Sequence, residues 1–174
     1  LLNDAINLSE VVVKERASDE NIKKVMGGVD QLAIKEIKRL PAFMGETDVI
    51  KSLLTLPGVR SAGEGVGGLN VRGGNADQNL ILQDNILFFN PTHALGFFSL
   101  FQPDLVENVR LYKGNMPAKY GGRLASVLQT NSVTGDRTSW KINGGIGAVS
   151  SKIAFQGPII KDRLTIAAGG RLST

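Results

Sequence analysis

The stretch LNVRGGNADQNLILQD, from Leu69 to Asp84, is the part of this 174-residue chain around which the predicted fold is organised. Apolar and polar residues alternate on both sides of GGNAD, whose residue types tolerate positive φ. This pattern predicts two short strands joined by a turn. Arg72 and Asp84 are unusual in it, because an ordinary core strand carries no charge at such positions. A surface hairpin is the simplest interpretation.

The composition is that of a globular chain with an excess of glycine. Hydrophobic residues make up 42%, the mean hydropathy is zero, and 21 residues are Gly, which favours turns and barrel corners over helices. Without Cys and with a single histidine, His93, the chain offers no typical transition-metal site, so we expect no metal and no cofactor. The basic residues are scattered along the sequence rather than clustered, which argues against nucleic-acid binding.

Two short helices are predicted before the opening stretch. Apolar residues over positions 31–40 follow helical spacing, and Pro41 ends that pattern. The second helix has the clearest helical pattern in the chain. It is predicted to begin at a cap near Glu46 or Thr47 and to end at Pro57.

A cluster of phenylalanines follows the opening stretch. Pro and Gly within the cluster predict a loop, and loops with large apolar residues are frequent ligand contacts. The alternative is that these rings belong to the core. The cluster places five rings within fourteen residues: Phe88, Phe89, Phe97, Phe98 and Phe101.

The chain changes character near Gly135. Before it, Val106 to Tyr112 and Leu124 to Thr130 alternate as short strands around a Tyr-Gly-Gly turn. After Thr138, long segments carry small apolar residues on one face and polar residues on the other, which is typical of outer-membrane barrel strands. Two hairpins of a soluble sandwich would show the same periodicity.

Taken in order, these segments resemble the plug domain of a TonB-dependent outer-membrane receptor followed by the first strands of its barrel. The resemblance rests on DVIKSLLTLPGV, LNVRGGNADQNLILQDN, VENVRLYKGNMPAKYGGRLASVLQTNS and GPIIKDRLTIAAGGR. LSEVVVKE also resembles the TonB box of receptors that carry an extra N-terminal domain. The implied fold class is α+β: a small mixed sheet with two or three short helices, then antiparallel strands that begin a 22-stranded transmembrane barrel.

The resemblance divides the chain into a TonB-box-like segment (1–17), a plug (18–135) and truncated barrel strands (136–174). It implies a gate in the outer membrane that occludes the barrel, contributes to ligand binding and takes part in import powered through TonB. The alternative is a secreted β-rich binding or adhesion module without a transport role. Scattered carboxylates with one histidine and no nucleophile motif do not predict an enzyme.

The implied partners are the TonB C-terminal domain, the chain's own barrel and a small ligand such as a siderophore, vitamin, oligosaccharide or peptide. The first segment would add as a strand to a sheet edge of TonB, or else form an edge strand of this domain. Its residues are Leu8, Ser9, Glu10, Val11, Val12 and Val13.

Two further groups of site residues follow from the resemblance. The ligand-binding loops would contain Asn75, Asp77, Gln78, Phe88, Phe89, Asn90, His93, Phe97 and Phe98. Contacts between plug and barrel would come from Arg72, Asp84, Tyr120 and Arg123. Guanidinium groups suit reversible contacts with carboxylates of a barrel wall, although Arg72 could equally pair with Asp84 or Asp77 inside the plug.

Overall fold

The computed structural model describes residues 27–40, 47–63, 68–93, 98–147 and 150–173. None of the helices in these ranges is both long and apolar enough to cross a membrane. The elements in chain order are β1 (Val29–Ala33), α1 (Ile34–Ile37), α2 (Val49–Leu53), β2 (Val59–Ser61), β3 (Leu69–Val71), a 3-10 turn (Ala76–Gln78), β4 (Asn79–Gln83), β5 (Ile86–Leu87), β6 (Thr92–His93), β7 (Phe98–Ser99), β8 (Val106–Tyr112), β9 (Ser126–Ser132), β10 (Lys141–Ile146), β11 (Ser150–Ile160) and β12 (Leu164–Ser173).

A mixed five-stranded sheet forms the centre of the fold. Its strand order is β1-β8-β9-β4-β5, with β4 and β9 parallel and the other neighbours antiparallel. A separate antiparallel sheet has the order β10-β11-β12. The predicted class, a small mixed sheet with short helices followed by antiparallel strands, is confirmed.

The predicted hairpin within Leu69–Asp84 is wrong. β3 pairs with β2, whereas β4 pairs with β9 and β5, so the two halves of the stretch belong to different sheets. The hairpin lies one step later. Asp84 and Asn85 have φ values of 50° and 67°, which suits the two-residue type I′ turn that joins β4 to β5.

Both predicted helices are shorter than expected. Positions 31–33 belong to β1 because they pair with β8, and the first helix keeps only the turn that buries Ile37. The second helix is capped by Asp48, whose side chain accepts a hydrogen bond from the Lys51 amide at 3.0 Å. The cap therefore lies one residue after Thr47, and Glu46 lies outside the described residues.

The main core lies between one face of the central sheet and the helices. Its largest fully buried side chains come from both helices, the sheet and the segment before β8. They include Ile37, Val49, Leu53, Phe101, Leu111 and Leu128. This packing fixes the segment Phe98–Asp104 and the loops around β4, which build the sites described next.

Candidate functional site

The sheet β10–β12 has an apolar face and a polar face. Its register places Ile142 opposite Phe155, and Ser151 opposite Leu172, on the same side. On this apolar face Ile146 is 94% exposed and Leu172 is 77% exposed. The polar face carries Lys152, Ala154, Gln156, Gly169 and Arg171, and it is the face that bonds to the rest of the described chain.

Asp104 is the most enclosed charged group at this polar face. Its side chain is 6% exposed and lies 2.7 Å from Lys38 Nζ and 2.9 Å from Lys152 Nζ. Burial alone raises the pKa of Asp104, but hydrogen bonds and charge from Lys38 and Lys152 outweigh it, so the pKa lies below its ordinary value. One carboxylate thus joins the end of α1 to strand β11.

Two further contacts place the segment Phe98–Asp104, which we call the docking segment, against the polar face. Gln102 Nε2 donates to the Ile153 carbonyl at 3.1 Å, and Arg171 Nη2 donates to the Ser99 carbonyl at 2.7 Å. The Arg171 guanidinium also lies 5.1 Å from the centroid of the Phe98 ring, within range of a cation–π interaction. Charge, amide and aromatic groups therefore all contribute to this docking.

Close approach at this interface requires a glycine in β12. A Cβ on Gly169 would lie 2.7 Å from the Ile153 carbonyl oxygen and 3.0 Å from Gln102 Oε1. Any larger residue would push β12 away from β11 and from Gln102. The glycine excess in the strands thus has a local packing reason here.

A second feature is a cavity of about 260 Å³ between the loops on either side of β4. Asn79 makes its floor rigid, because Nδ2 donates to the Leu69 carbonyl and Oδ1 accepts from Ser126 Oγ at 2.7 Å. Phe88 is half-buried, with its centroid 6.1 Å from that of Phe101. The lining residues are Gly68, Leu69, Ala76, Asp77, Asn79, Ile81, Phe88, Phe89, Asn90, Pro91 and Arg123.

The cavity brings together four of the predicted ligand residues, Asp77, Phe88, Phe89 and Asn90, and adds Arg123. Phe89 is 81% exposed at its edge. Asn75 and Gln78 form the turn beside the cavity, where the Asn75 amide donates to Gln78 Oε1 at 3.2 Å.

The remaining ligand predictions fall elsewhere. Phe98 is buried and lies in the docking segment under Arg171. His93 belongs to β6, and its side chain lies outside the described residues, as do Phe97 and the whole segment Leu8–Val13.

The four predicted plug-to-barrel residues occupy different surroundings. Arg72 is exposed with φ of 49° and extends past Gly114, where an added Cβ would lie 2.9 Å from its Nη1. Asp84 Oδ1 accepts from the Ser132 amide at 2.9 Å, and no ion pair joins Arg72 to Asp84 or Asp77 within the described ranges. The internal salt bridge considered for Arg72 is therefore wrong.

Tyr120 is tied to the central sheet. Its hydroxyl lies 2.9 Å from Gln129 Oε1, and its ring centroid lies 5.6 Å from that of Tyr112. Arg123 lines the cavity. Tyr120 and Arg123, like Arg72 and Asp84, form no hydrogen bond with β10–β12 in the part of the chain described, so their contact with further barrel wall stays a prediction.

The residues that do hold the plug segment to the strands were not predicted. They are Ser99, Gln102, Asp104, Lys152 and Arg171. Lys152 and Arg171 occupy polar positions in otherwise alternating strands, which is the one local signal that the sequence offers. Their partners lie 48 and 72 residues away, and nothing local identifies those.

Comparisons with known proteins agree with this architecture. The family model described as TonB-dependent Receptor Plug Domain matches residues 21–127. A comparison with curated proteins gives no match. Among solved structures, the chain is similar to the siderophore receptor PirA from Pseudomonas aeruginosa, with a TM-score of 0.60 and 20% identity over 85% of this chain and 28% of that one.

Two further structures have the same fold. The outer membrane transporter YddB from Escherichia coli matches with a TM-score of 0.58 and 17% identity, over 83% of this chain and 26% of that one. The alcaligin outer membrane receptor FauA from Bordetella pertussis matches with a TM-score of 0.57 and 14% identity, over the same shares. The chain thus spans about a quarter of the length of these structures. With its plug-like sheet and the match to the family model, the chain belongs to the TonB-dependent receptor plug domain family.

Proposed function

We propose that this chain is the gate of a TonB-dependent outer-membrane transporter, which occludes the barrel, contributes to ligand binding and takes part in energy-coupled import. The observation that carries the proposal is the docking of Phe98–Asp104 on the polar face of β10–β12, with the apolar face turned away. A plug inside a barrel needs this arrangement, since barrel strands are apolar towards lipid and polar towards the lumen.

The same observation weighs against a secreted adhesion module. A soluble sandwich would cover the apolar face of β10–β12 with a second sheet and expose the polar face to water. Here the polar face is covered instead. The family is one of receptors, so we propose no catalytic role.

We propose the outer membrane as the location, with the plug in the lumen and the first segment towards the periplasm. The proposed division keeps 1–17 as the TonB-interacting segment, 18–135 as the plug and 136–174 as the first barrel strands. The family match over 21–127 lies within the plug range and supports this division.

Coupling would run from the TonB C-terminal domain to Leu8–Val13. Three consecutive valines suit pairing with a sheet edge, in which main-chain bonds give affinity. Calorimetry with a peptide of residues 5–16 and the cognate TonB C-terminal domain tests this directly. Binding that is lost when Val12 is replaced by Pro supports the proposal, and no binding of the natural peptide contradicts it.

The ligand site is proposed at the cavity beside β4. Phe89 offers an exposed aromatic face, while Arg123 and Asn90 offer donors. Siderophores, vitamins, oligosaccharides and peptides are the candidate ligands. Two of the similar structures are described as a siderophore receptor and an alcaligin receptor, so a ferric siderophore is the first ligand to test.

The test compares binding to the complete natural protein and to two variants. Phe89→Ala and Arg123→Ala are expected to weaken binding of the active ligand at least about tenfold, as loss of one good aromatic or charged contact does. Leu124→Ala, at a neighbouring side chain that is 82% exposed and outside the cavity lining, is the matched control. Equal affinity in all four proteins would place the ligand elsewhere.

A further inference from the structure

The charged residues after Gly135 are unevenly distributed over the sheet β10–β12. Lys152 and Arg171 bond to the docking segment, and every other charged residue lies at the end of the sheet that contains the β11–β12 turn. At the opposite end the stretch INGGIGAVSS, residues 142–151, carries no charge. The charged end has four basic and two acidic residues, which leaves a net charge of +2: Asp136, Arg137, Lys141, Lys161, Asp162 and Arg163.

Three basic side chains meet at the β11–β12 turn. The Arg163 amide donates to the Ile160 carbonyl at 3.0 Å and closes the turn, in which Asp162 has φ of 62°. The Asp162 amide donates to the Arg137 carbonyl at 3.3 Å, so the segment before β10 lies against the turn. Arg137, Lys161 and Arg163 are all exposed, and we call these three residues the basic rim.

The nearby carboxylate of Asp136 is already occupied by other groups. Its Oδ2 lies 2.6 Å from Lys141 Nζ, and its Oδ1 accepts from the amides of Thr138 and Ser139 at 2.8 Å and 3.0 Å. Over the ranges that the structure describes, no carboxylate lies within ion-pair distance of the basic rim. The charge of the rim is therefore available to an external anion.

The basic rim borders directly on the apolar face of the sheet. Ile160 and Leu164 are cross-strand partners beside the turn, and both are half-exposed. Trp140, also half-exposed, packs its ring on Gly157, three residues and about 10 Å along the strand from Ile160. Tryptophan and basic side chains at the end of an apolar band are typical of the boundary between acyl chains and headgroups.

We propose that the basic rim binds the headgroup of an anionic phospholipid whose acyl chains lie on the apolar face beside Trp140 and Leu164. Guanidinium groups bind phosphate oxygens in pairs, and the lysine adds a point charge. A free phosphate would contact the rim alone, whereas a phospholipid also covers the half-exposed apolar side chains next to it. A zwitterionic lipid carries its own ammonium group, so the net positive charge favours an anionic one. The proposal rests on the proposed position of β10–β12 in the membrane.

Fluorescence quenching by brominated lipids tests the site in the complete natural protein, reconstituted in phosphatidylcholine vesicles. A bimane label on Leu164→Cys reports the lipid beside the rim, and quenching by brominated phosphatidylglycerol is compared with quenching by brominated phosphatidylcholine. Each basic residue at an anionic lipid surface changes binding about fivefold. Three basic residues with one acidic neighbour therefore predict a preference of about 25-fold for phosphatidylglycerol, which should disappear in the triple variant Arg137→Gln, Lys161→Gln, Arg163→Gln.

Three controls accompany this measurement. The same label on Ile146→Cys, at the uncharged end, should show no preference, and Lys35→Gln, at an exposed lysine of α1, should leave the preference at Leu164 unchanged. Asp162→Asn keeps a residue type that tolerates positive φ and removes the acidic neighbour, so the preference should rise about fivefold. This variant keeps the test informative if the triple variant fails to fold.

Failure of the headgroup site and failure of the proposed function give different results. Quenching of both labels by both lipids without preference, or a preference that survives in the triple variant, would overturn the headgroup site and leave β10–β12 in the membrane. Absence of quenching at both labels with either lipid would overturn the site together with the membrane position on which the proposed function depends.

Discussion

Replacement of Asp104 by Asn should weaken the docking of Phe98–Asp104 on β10–β12. The lost interaction with Lys152 should contribute more to this effect than the lost interaction with Lys38. Lys38 is 41% exposed, so water screens its ion pair with Asp104, and we expect that pair to contribute only about 0.5 kcal/mol of stability. Lys152 is 23% exposed, and a charged hydrogen bond in that setting contributes about 1.5 kcal/mol. Asp104→Asn keeps the shape of the side chain and removes the charge, so we expect a loss of about 2 kcal/mol in the opening free energy of the docking segment.

Double-mutant cycles separate the two contributions. Native-state hydrogen exchange of residues 98–106 would be measured in Asp104→Asn, Lys38→Met, Lys152→Met and the two double variants of the complete protein. The expected coupling energy is about 1.5 kcal/mol for Asp104 with Lys152 and about a third of that for Asp104 with Lys38. A coupling with Lys152 that is zero, or smaller than that with Lys38, would show that Lys152 is not the main partner of Asp104.

Three further outcomes follow from individual contacts. Because the pKa of Asp104 is lowered in the folded state, its stabilisation is present above the unfolded value near pH 4 and is lost as pH falls through the folded pKa. The opening free energy of residues 98–106, from exchange rates corrected for the intrinsic pH dependence of amide exchange, should therefore stay constant from about pH 5 to pH 8 and fall as the pH drops below about 4. Gly157→Ala would place a Cβ 2.5 Å from the Trp140 ring and should lower the melting temperature through about 1–3 kcal/mol of strain, which Trp140→Ala in the same chain should relieve. Tyr120→Phe removes the bond to Gln129 and should cost about 1 kcal/mol in a melting experiment with ligand uptake unchanged; lost uptake at normal stability would favour a barrel contact instead.

The strands β10–β12 were predictable because their information is local. Neighbouring residues such as Ile142 and Asn143 point to opposite faces of a strand, so the alternation of apolar and polar residue types can be read directly from the sequence. The register of β10 with β11 then aligns the apolar residues of both strands on one face. The type I′ turn at Asp84-Asn85 is also a local signal. It was overlooked because the glycines at Gly73-Gly74 gave a stronger turn signal in the same stretch.

Strand partners, in contrast, depend on distant residues. β4 pairs in parallel with β9, so that Asn79 meets Ser126, and no pattern within Leu69–Asp84 specifies this choice. Leu32 and Ile37 fit helical spacing, yet pairing of Leu32 with Val109 places it in a strand. In both cases tertiary contacts, and not local propensity, determine the secondary structure and the strand partner.

The residues of the candidate sites also fall into two groups, those marked by local sequence and those whose role depends on distant partners. Residue types typical of ligand loops predicted Phe89 and Asn90, which line the cavity beside β4, because aromatic and amide groups next to Pro91 are a local feature of the sequence. Asp104 has no distinguishing mark in the sequence, since its role depends on Lys38 and Lys152, which no sequence spacing relates to it.

If β10–β12 are barrel strands with the plug on their inner face, their apolar face lies against lipid and their polar face towards the plug. Single cysteines introduced into the cysteine-free chain at Ile142, Ile153, Asn143 and Gln156 can carry spin labels in the complete protein in a bilayer. Labels at Ile142 and Ile153 are expected to be relaxed by dissolved oxygen from the lipid, and labels at Asn143 and Gln156 to be shielded from it. Labels at Ile142 and Ile153 that respond instead to a water-soluble nickel complex would show that this face of β10–β12 does not lie against lipid.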